Sequence, residues 1–224
     1  MNYLILAATA AATQAADKEM NMWDMIIMGG WLMIPIFVLS IIAVYIMFER
    51  YFAIRNAAVT DKNFTEKILD YIRSGNKTAA LMECNAVHTP LARMLEKGVK
   101  YSNLPSGELR TSMENSANGE VAELEKGLST LATSAGLAPM IGFLGTVVGM
   151  VQAFYDMSLA GNNINITLLS RGIYTAMITT VAGLIVGIIA YWGYNALVSK
   201  LGRLTGNLEY ACAEFIDSLH DLKK

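Results

Sequence analysis

The sequence predicts an all-α membrane protein: three transmembrane helices with long helical extensions into the cytoplasm. Three observations carry that prediction. The 224 residues are 54% hydrophobic and only 16% charged, with a mean hydropathy of +0.39, which is too apolar for an ordinary soluble domain of this size. Three stretches without Asp, Glu, Lys or Arg then stand out: residues 25–48 (24 long), 127–155 (29 long) and 172–199 (28 long). A hydrocarbon core of about 30 Å needs roughly 20 helical residues, so each is long enough to span. Finally, the basic residues are unevenly shared. Eleven fall in residues 49–126 and four from residue 199 onward, whereas Lys18 stands alone in the first 30 residues and Arg171 alone at the edge of the loop after span two. Basic residues stay on the cytoplasmic side. Arg50 and Arg55 follow span one, and Lys200 and Arg203 follow span three. The N-terminus is thus expected outside and the C-terminus in the cytoplasm.

Residues 1–24 open with the uncharged run "MNYLILAATAAATQAA". It is too short to span and lacks the basic start of a secretory signal. A helix lying along or beside the membrane surface, on the side away from the cytoplasm, is expected, with a cleaved leader as the alternative. Span one, residues 25–48, contains "GGWLMIPIF"; Trp23 and Trp31 are placed as an aromatic belt, and Pro35 is placed to bend the helix.

Residues 49–126 form the cytoplasmic segment. "NFTEKILDYIRSG" puts Phe64, Ile68, Tyr71 and Ile72 on one helical face and stops at Gly75. "TPLARMLEKGVKY" does the same with Leu91, Met94, Leu95 and Val99. A further helical pattern begins at Pro105-Ser106 and reads without a break into span two. Such amphipathic pieces make a poor core alone, so copies of the chain are expected to cover them. After span three, residues 200–224 space Leu201, Leu204, Leu208, Cys212, Phe215 and Leu219 by three or four, the pattern of a helix continuing into the cytoplasm.

Spans two and three differ from span one. "GLAPMIGFLGTVVGMVQAF" carries Gly142, Gly145, Thr146, Gly149 and Ala153 at three- and four-residue steps, and "GIYTAMITTVAGLIVG" carries Gly172, Thr175, Ala176, Thr179, Thr180, Gly183 and Gly187. Small side chains let helix backbones approach closely, which drives association in lipid. Gly142, Gly145, Gly149, Ala176, Gly183 and Gly187 are therefore candidate packing residues. Residues 156–171 are a short outer loop, so the two spans form a hairpin. The threonines have two readings. They bond to carbonyls of their own helix, or, repeated around a ring, Thr146 and Thr180 line a polar path with Thr175 and Thr179 beside it.

No nucleotide-binding loop, catalytic triad or ligand-spaced His or Cys cluster appears in the sequence. Neither an enzyme nor a metal or cofactor site is expected. A net charge of −2 argues against nucleic acid. No charged residue sits mid-span, so no proton relay is complete within one chain.

The two polar spans, together with "GGWLMIPI" and "ERYFAIR" around span one, resemble the ExbB/TolQ/MotA proton-channel family, the ExbB branch most of all. The resemblance covers nearly the whole chain; the MotA stators have four spans and a larger cytoplasmic domain. It implies a homopentamer around a central pore in a bacterial inner membrane. It further implies an ExbD- or TolR-like single-span partner pair inside the pore that supplies an essential Asp, and a TonB- or TolA-like protein that receives the work. Thr146 and Thr180 fall on the family's pore-facing threonines. One position departs: relatives read G-I-x-E-A-L where this chain reads "GIYTAM", so Thr175 stands in place of a glutamate. The implied function is a proton-channel subunit that energises TonB-dependent outer-membrane transport. The alternatives are a TolQ-like role in envelope integrity and constriction, a non-conducting oligomeric scaffold, and a gated solute channel, the last disfavoured by the missing charged selectivity ring.

Overall fold

The computed structural model describes residues 29–59, 63–159 and 166–222. The expected surface helix over residues 1–24, with Trp23 and Lys18, lies outside them. Among the described residues there are seven helices and no strand: α1 (Met33–Ala57), α2 (Phe64–Arg73), α3 (Lys77–Ala86), α4 (Pro90–Lys100), α5 (Ser106–Glu125), α6 (Leu128–Leu159) and α7 (Ile166–Leu222). Three stretches of helix are long and apolar enough to cross a membrane, centred on α1, α6 and α7. Pro35 falls in the first turn of α1 rather than mid-helix, where its missing N–H leaves no ladder bond broken. At that position it gives the helix no cause to bend.

The chain divides into two compact units. The larger holds residues 39–137 and 187–224. Its core is a single apolar cluster in which α4 and α5 pack together and the C-terminal part of α7 supplies Leu204, Leu208, Cys212 and Phe215. The amphipathic stripes of residues 49–126 are thus covered within the chain, with its own tail contributing, and need no second copy to bury them. Ile68, Met94, Leu95, Met113 and Phe215 are fully buried. A Cβ on Gly98 would lie 2.8 Å from Cε1 of Phe215 and 3.0 Å from Sδ of Met113, so the glycine admits the Phe215 ring. Thr89 caps α4 through its hydroxyl, which accepts from the Ala92 N–H at 3.4 Å, with Pro90 in the first turn. Asn76 caps α3 in the same way, at 3.1 Å from the Ala79 N–H.

The helical pattern expected to run unbroken into span two is interrupted. α5 ends at Glu125, and Lys126-Gly127 form a turn before α6 starts at Leu128. Gly127 has φ +82°, the left-handed conformation that Gly adopts without a Cβ penalty. Arg50 holds the junction. Its Nη1 donates to the Glu123 carbonyl at 2.9 Å, while Nε and Nη2 grip the carboxylate of Glu49 at 3.0 and 2.6 Å. That carbonyl is among the last of α5, where intrahelical donors run out.

Candidate functional site

The second unit, residues 29–38, 138–159 and 166–186 among those described, contains the hairpin of α6 and α7. Its packing follows from residue size. A Cβ built on Gly183 would lie 2.5 Å from the Ala138 carbonyl oxygen and 3.0 Å from the Gly142 Cα. One on Gly142 would lie 2.9 Å from the Thr179 carbonyl oxygen and 3.1 Å from the Thr180 Cα. One on Gly145 would collide with the Thr179 side chain, and one on Gly149 would lie 2.8 Å from the Ala176 Cβ. One on Gly172 would lie 2.5 Å from the Ala153 Cβ. The partners run in opposite order along the two helices, as an antiparallel pair requires. At the centre the obstacles are backbone atoms, so the backbones themselves are in contact there. Each of the candidate packing residues except Gly187 meets the opposite helix in this way; Gly187 is buried but belongs to the larger unit.

The hydroxyls sit on this seam. Thr180 Oγ1 donates across it to the Gly142 carbonyl at 2.8 Å. Thr179, only 2% exposed, donates to the Ala176 carbonyl of its own helix at 2.7 Å, with the Gly142 oxygen at a marginal 3.5 Å. Thr146 donates to the Phe143 carbonyl at 2.6 Å. Thr146, Thr175 and Thr180 are half-buried, whereas Thr179 is enclosed between the two helices. A hydroxyl has one proton to donate and lone pairs to accept with. In this conformation Thr146 and Thr180 have committed their protons to main-chain oxygens and keep acceptor capacity.

Electrostatically the hairpin is bare: residues 138–155 and 172–186 contain no Asp, Glu, Lys or Arg. Among the described residues no group of His, Cys, Asp and Glu is arranged to hold a metal. Ser134, which the sequence reading did not single out, is 1% exposed and donates to the Thr130 carbonyl at 2.9 Å. Its signal was present as a polar residue inside the uncharged run 127–155. The link from Thr180 to Gly142 carries no sequence signal, because a main-chain carbonyl is the acceptor.

Three apolar helices and a glycine-packed, hydroxyl-bearing hairpin define a multi-pass α-helical membrane protein. The chain belongs to the MotA/TolQ/ExbB proton channel family, whose model matches residues 86–210. A Synechocystis protein designated ExbB-like 1 is 31% identical over 178 residues, covering 79% of this chain and 70% of its own length. The biopolymer transport protein exbB1 of Vibrio cholerae is 27% identical over 183 residues, covering 79% and 78% respectively. The Tol-Pal system protein TolQ of Haemophilus influenzae is 34% identical over 109 residues, covering 49% and 47%.

Proposed function

We propose that this chain is the channel-forming subunit of an inner-membrane, ExbB-type motor that uses the proton motive force to energise TonB-dependent outer-membrane transport. The observation that carries the reading is a hairpin with hydroxyls at Thr146 and Thr180 and no carboxylate among residues 138–155 and 172–186. Such a lining can solvate an ionisable group but cannot itself carry a proton. The acid therefore comes from elsewhere: an Asp on a single-span, ExbD-like partner held inside a ring of five copies. The N-terminus is periplasmic and the 49–126 segment cytoplasmic. A TonB-like protein takes up the work. Homologues designated ExbB and TolQ support the family role. The longer coverage of the ExbB relatives supports that branch over a TolQ-like one.

Thr180 has a specific part in this mechanism. An ionised carboxylate near the membrane centre costs about 2.5–3.5 kcal/mol on insertion scales. A charge-assisted hydrogen bond returns about 1.5–3 kcal/mol. When the partner acid is protonated, Thr180 donates to Gly142 and accepts from the acid. When the acid is ionised, rotation about the Cβ–Oγ1 bond turns the hydroxyl hydrogen bond from the Gly142 carbonyl to the carboxylate, the proton staying on Thr180. Gly142 then loses only a second hydrogen bond to its carbonyl. Thr146 acts in the same way with Phe143. Thr175, where relatives carry Glu, adds a further neutral hydroxyl, so this chain conducts without a glutamate ring of its own.

The second reading is a non-conducting scaffold, favoured by the enclosure of Thr179 and by the intrachain bonds of all three hydroxyls. Thr180→Val separates the two. It removes the hydroxyl, fills nearly the same volume and should leave the oligomer intact while abolishing partner-dependent transport. Full transport by Thr146→Val/Thr180→Val would support the scaffold instead.

A further inference from the structure

The larger unit carries a cluster of cations that form no ion pair with a carboxylate among the described residues. Lys200 of α7 sits over the ring of Tyr51 of α1, its Nζ 3.8 Å from the centroid. One turn further along each helix stands an arginine: Arg55 four residues after Tyr51, and Arg203 three residues after Lys200. Both are exposed. Among the described residues, ion pairs engage Arg50, Lys67, Arg73, Arg93, Arg110 and Lys126, but not Arg55, Lys200 or Arg203. The contrast with Arg50 is informative. It lies on the same helix and is fully occupied by Glu49 and the Glu123 carbonyl.

The opposite side of the cluster is apolar. One turn before Tyr51 lies Phe48, 56% exposed, and two turns before Lys200 lies Trp192, 72% exposed. The helices are held together on this side by Gly193, where a side chain would strike Met47. The feature is thus a pair of adjacent helices whose facing flanks are greasy up to Tyr51 and Lys200 and cationic one turn beyond. Charge falls where a membrane surface has its phosphates, and exposed aromatic surface falls where it has its acyl chains. An acidic protein segment would find the charges but not the neighbouring apolar wall.

We propose that Arg55, Lys200 and Arg203 form a phosphate-binding site for the headgroup of an anionic phospholipid, whose acyl chains lie along Phe48 and Trp192. The arginines offer planar forks suited to phosphate oxygens, and Tyr51 fixes the lysine stem beside them. The site rests on the chain being a membrane protein, and its test needs no proton conduction.

The experiment is native mass spectrometry of the full chain, stripped of lipid in detergent and titrated with dioleoyl phosphatidylglycerol or dioleoyl phosphatidylcholine. Phosphatidylglycerol should bind at one site per chain, about 10-fold more tightly than phosphatidylcholine. Arg55→Gln/Arg203→Gln alters two exposed side chains and should spare the fold. It should reduce phosphatidylglycerol binding by about 5-fold for each charge removed, with phosphatidylcholine binding unchanged. Lys200→Arg, which retains the charge, should bind like the native chain. Equal retention of the two lipids would overturn the site. So would a double variant that keeps the preference. Displacement of phosphatidylglycerol by millimolar inorganic phosphate would show a free-anion site instead and would refute the lipid assignment.

Discussion

Replacing Gly183 by Ala perturbs the closest point of the α6–α7 hairpin. The added methyl would lie 2.5 Å from the Ala138 carbonyl oxygen and 3.0 Å from the Gly142 Cα. Neither obstacle can rotate away, because both are main-chain atoms of an intact helix. The helices must part by roughly 1 Å to reach ordinary van der Waals separation. Two costs follow. Overpacking of a close-fitted interface runs to about 1–3 kcal/mol. Parting also stretches the bond of 2.8 Å between Thr180 Oγ1 and the Gly142 carbonyl, worth about 0.6 kcal/mol on average for interhelical bonds in a membrane protein. The expected loss is about 2–3 kcal/mol, read as resistance to unfolding in mixed micelles of increasing SDS fraction. Gly202→Ala and Gly206→Ala are the controls: a Cβ there meets nothing within 4 Å, and Ala should be neutral or stabilising by up to about 1 kcal/mol. Because Gly142 and Gly183 share one contact, Gly142→Ala/Gly183→Ala should cost clearly less than the sum of the single variants. A Gly183→Ala chain within about 0.5 kcal/mol of wild type, or additive single variants, would refute the close-contact argument.

Cys84 is buried beside Glu96 and Glu83, and burial first, then those carboxylates, push its thiol pKa up to about 12. It should resist alkylation by iodoacetamide at pH 8 in the folded chain and react readily once unfolded; equal rates would contradict its burial. The proton is held more tightly folded than unfolded, so this thiol should cost no stability below about pH 8.5 and a growing amount as pH rises from there toward 12. Cys84→Ala should flatten that decline in chemical denaturation, and an unchanged slope would count against it. Thr180→Val should lower hairpin stability by only about 0.6–1.5 kcal/mol, far too little to explain a transport loss of 100-fold or more; a variant that fails to assemble would point to packing instead. Native mass spectrometry of the purified chain should show five copies, and a stable monomer or dimer would argue against a ring.

The membrane architecture was largely legible because charge is expensive in lipid. Three charge-free gaps of sufficient length picked out the regions of α1, α6 and α7. The α7 extension was legible for a different reason: Leu201, Leu204, Leu208, Cys212, Phe215 and Leu219 keep a helical spacing, and all six are buried. What covers them was not legible, since periodicity identifies a face but not its partner; Phe215 finds Gly98 and Met113 across more than a hundred residues. The turn at Lys126-Gly127 was missed because a lone Gly inside a helical pattern is ambiguous. Here φ +82° at Gly127 resolves it as the end of α5. Within the site, small residues announced close packing, but they could not assign each hydroxyl its acceptor. Thr179 and Thr180 are neighbours in sequence, yet one bonds within its own helix and the other across the seam.

Proton flux into liposomes tests the channel proposal most directly. Vesicles holding this chain alone should acidify slowly under an imposed pH gradient and potential. Vesicles that also hold a single-span partner with an Asp in its span should acidify at least 10-fold faster, and Asp→Asn in that partner should return them to the slow rate. Fast flux through the chain alone, or no gain on adding the partner, would contradict a channel whose acid is supplied by another subunit.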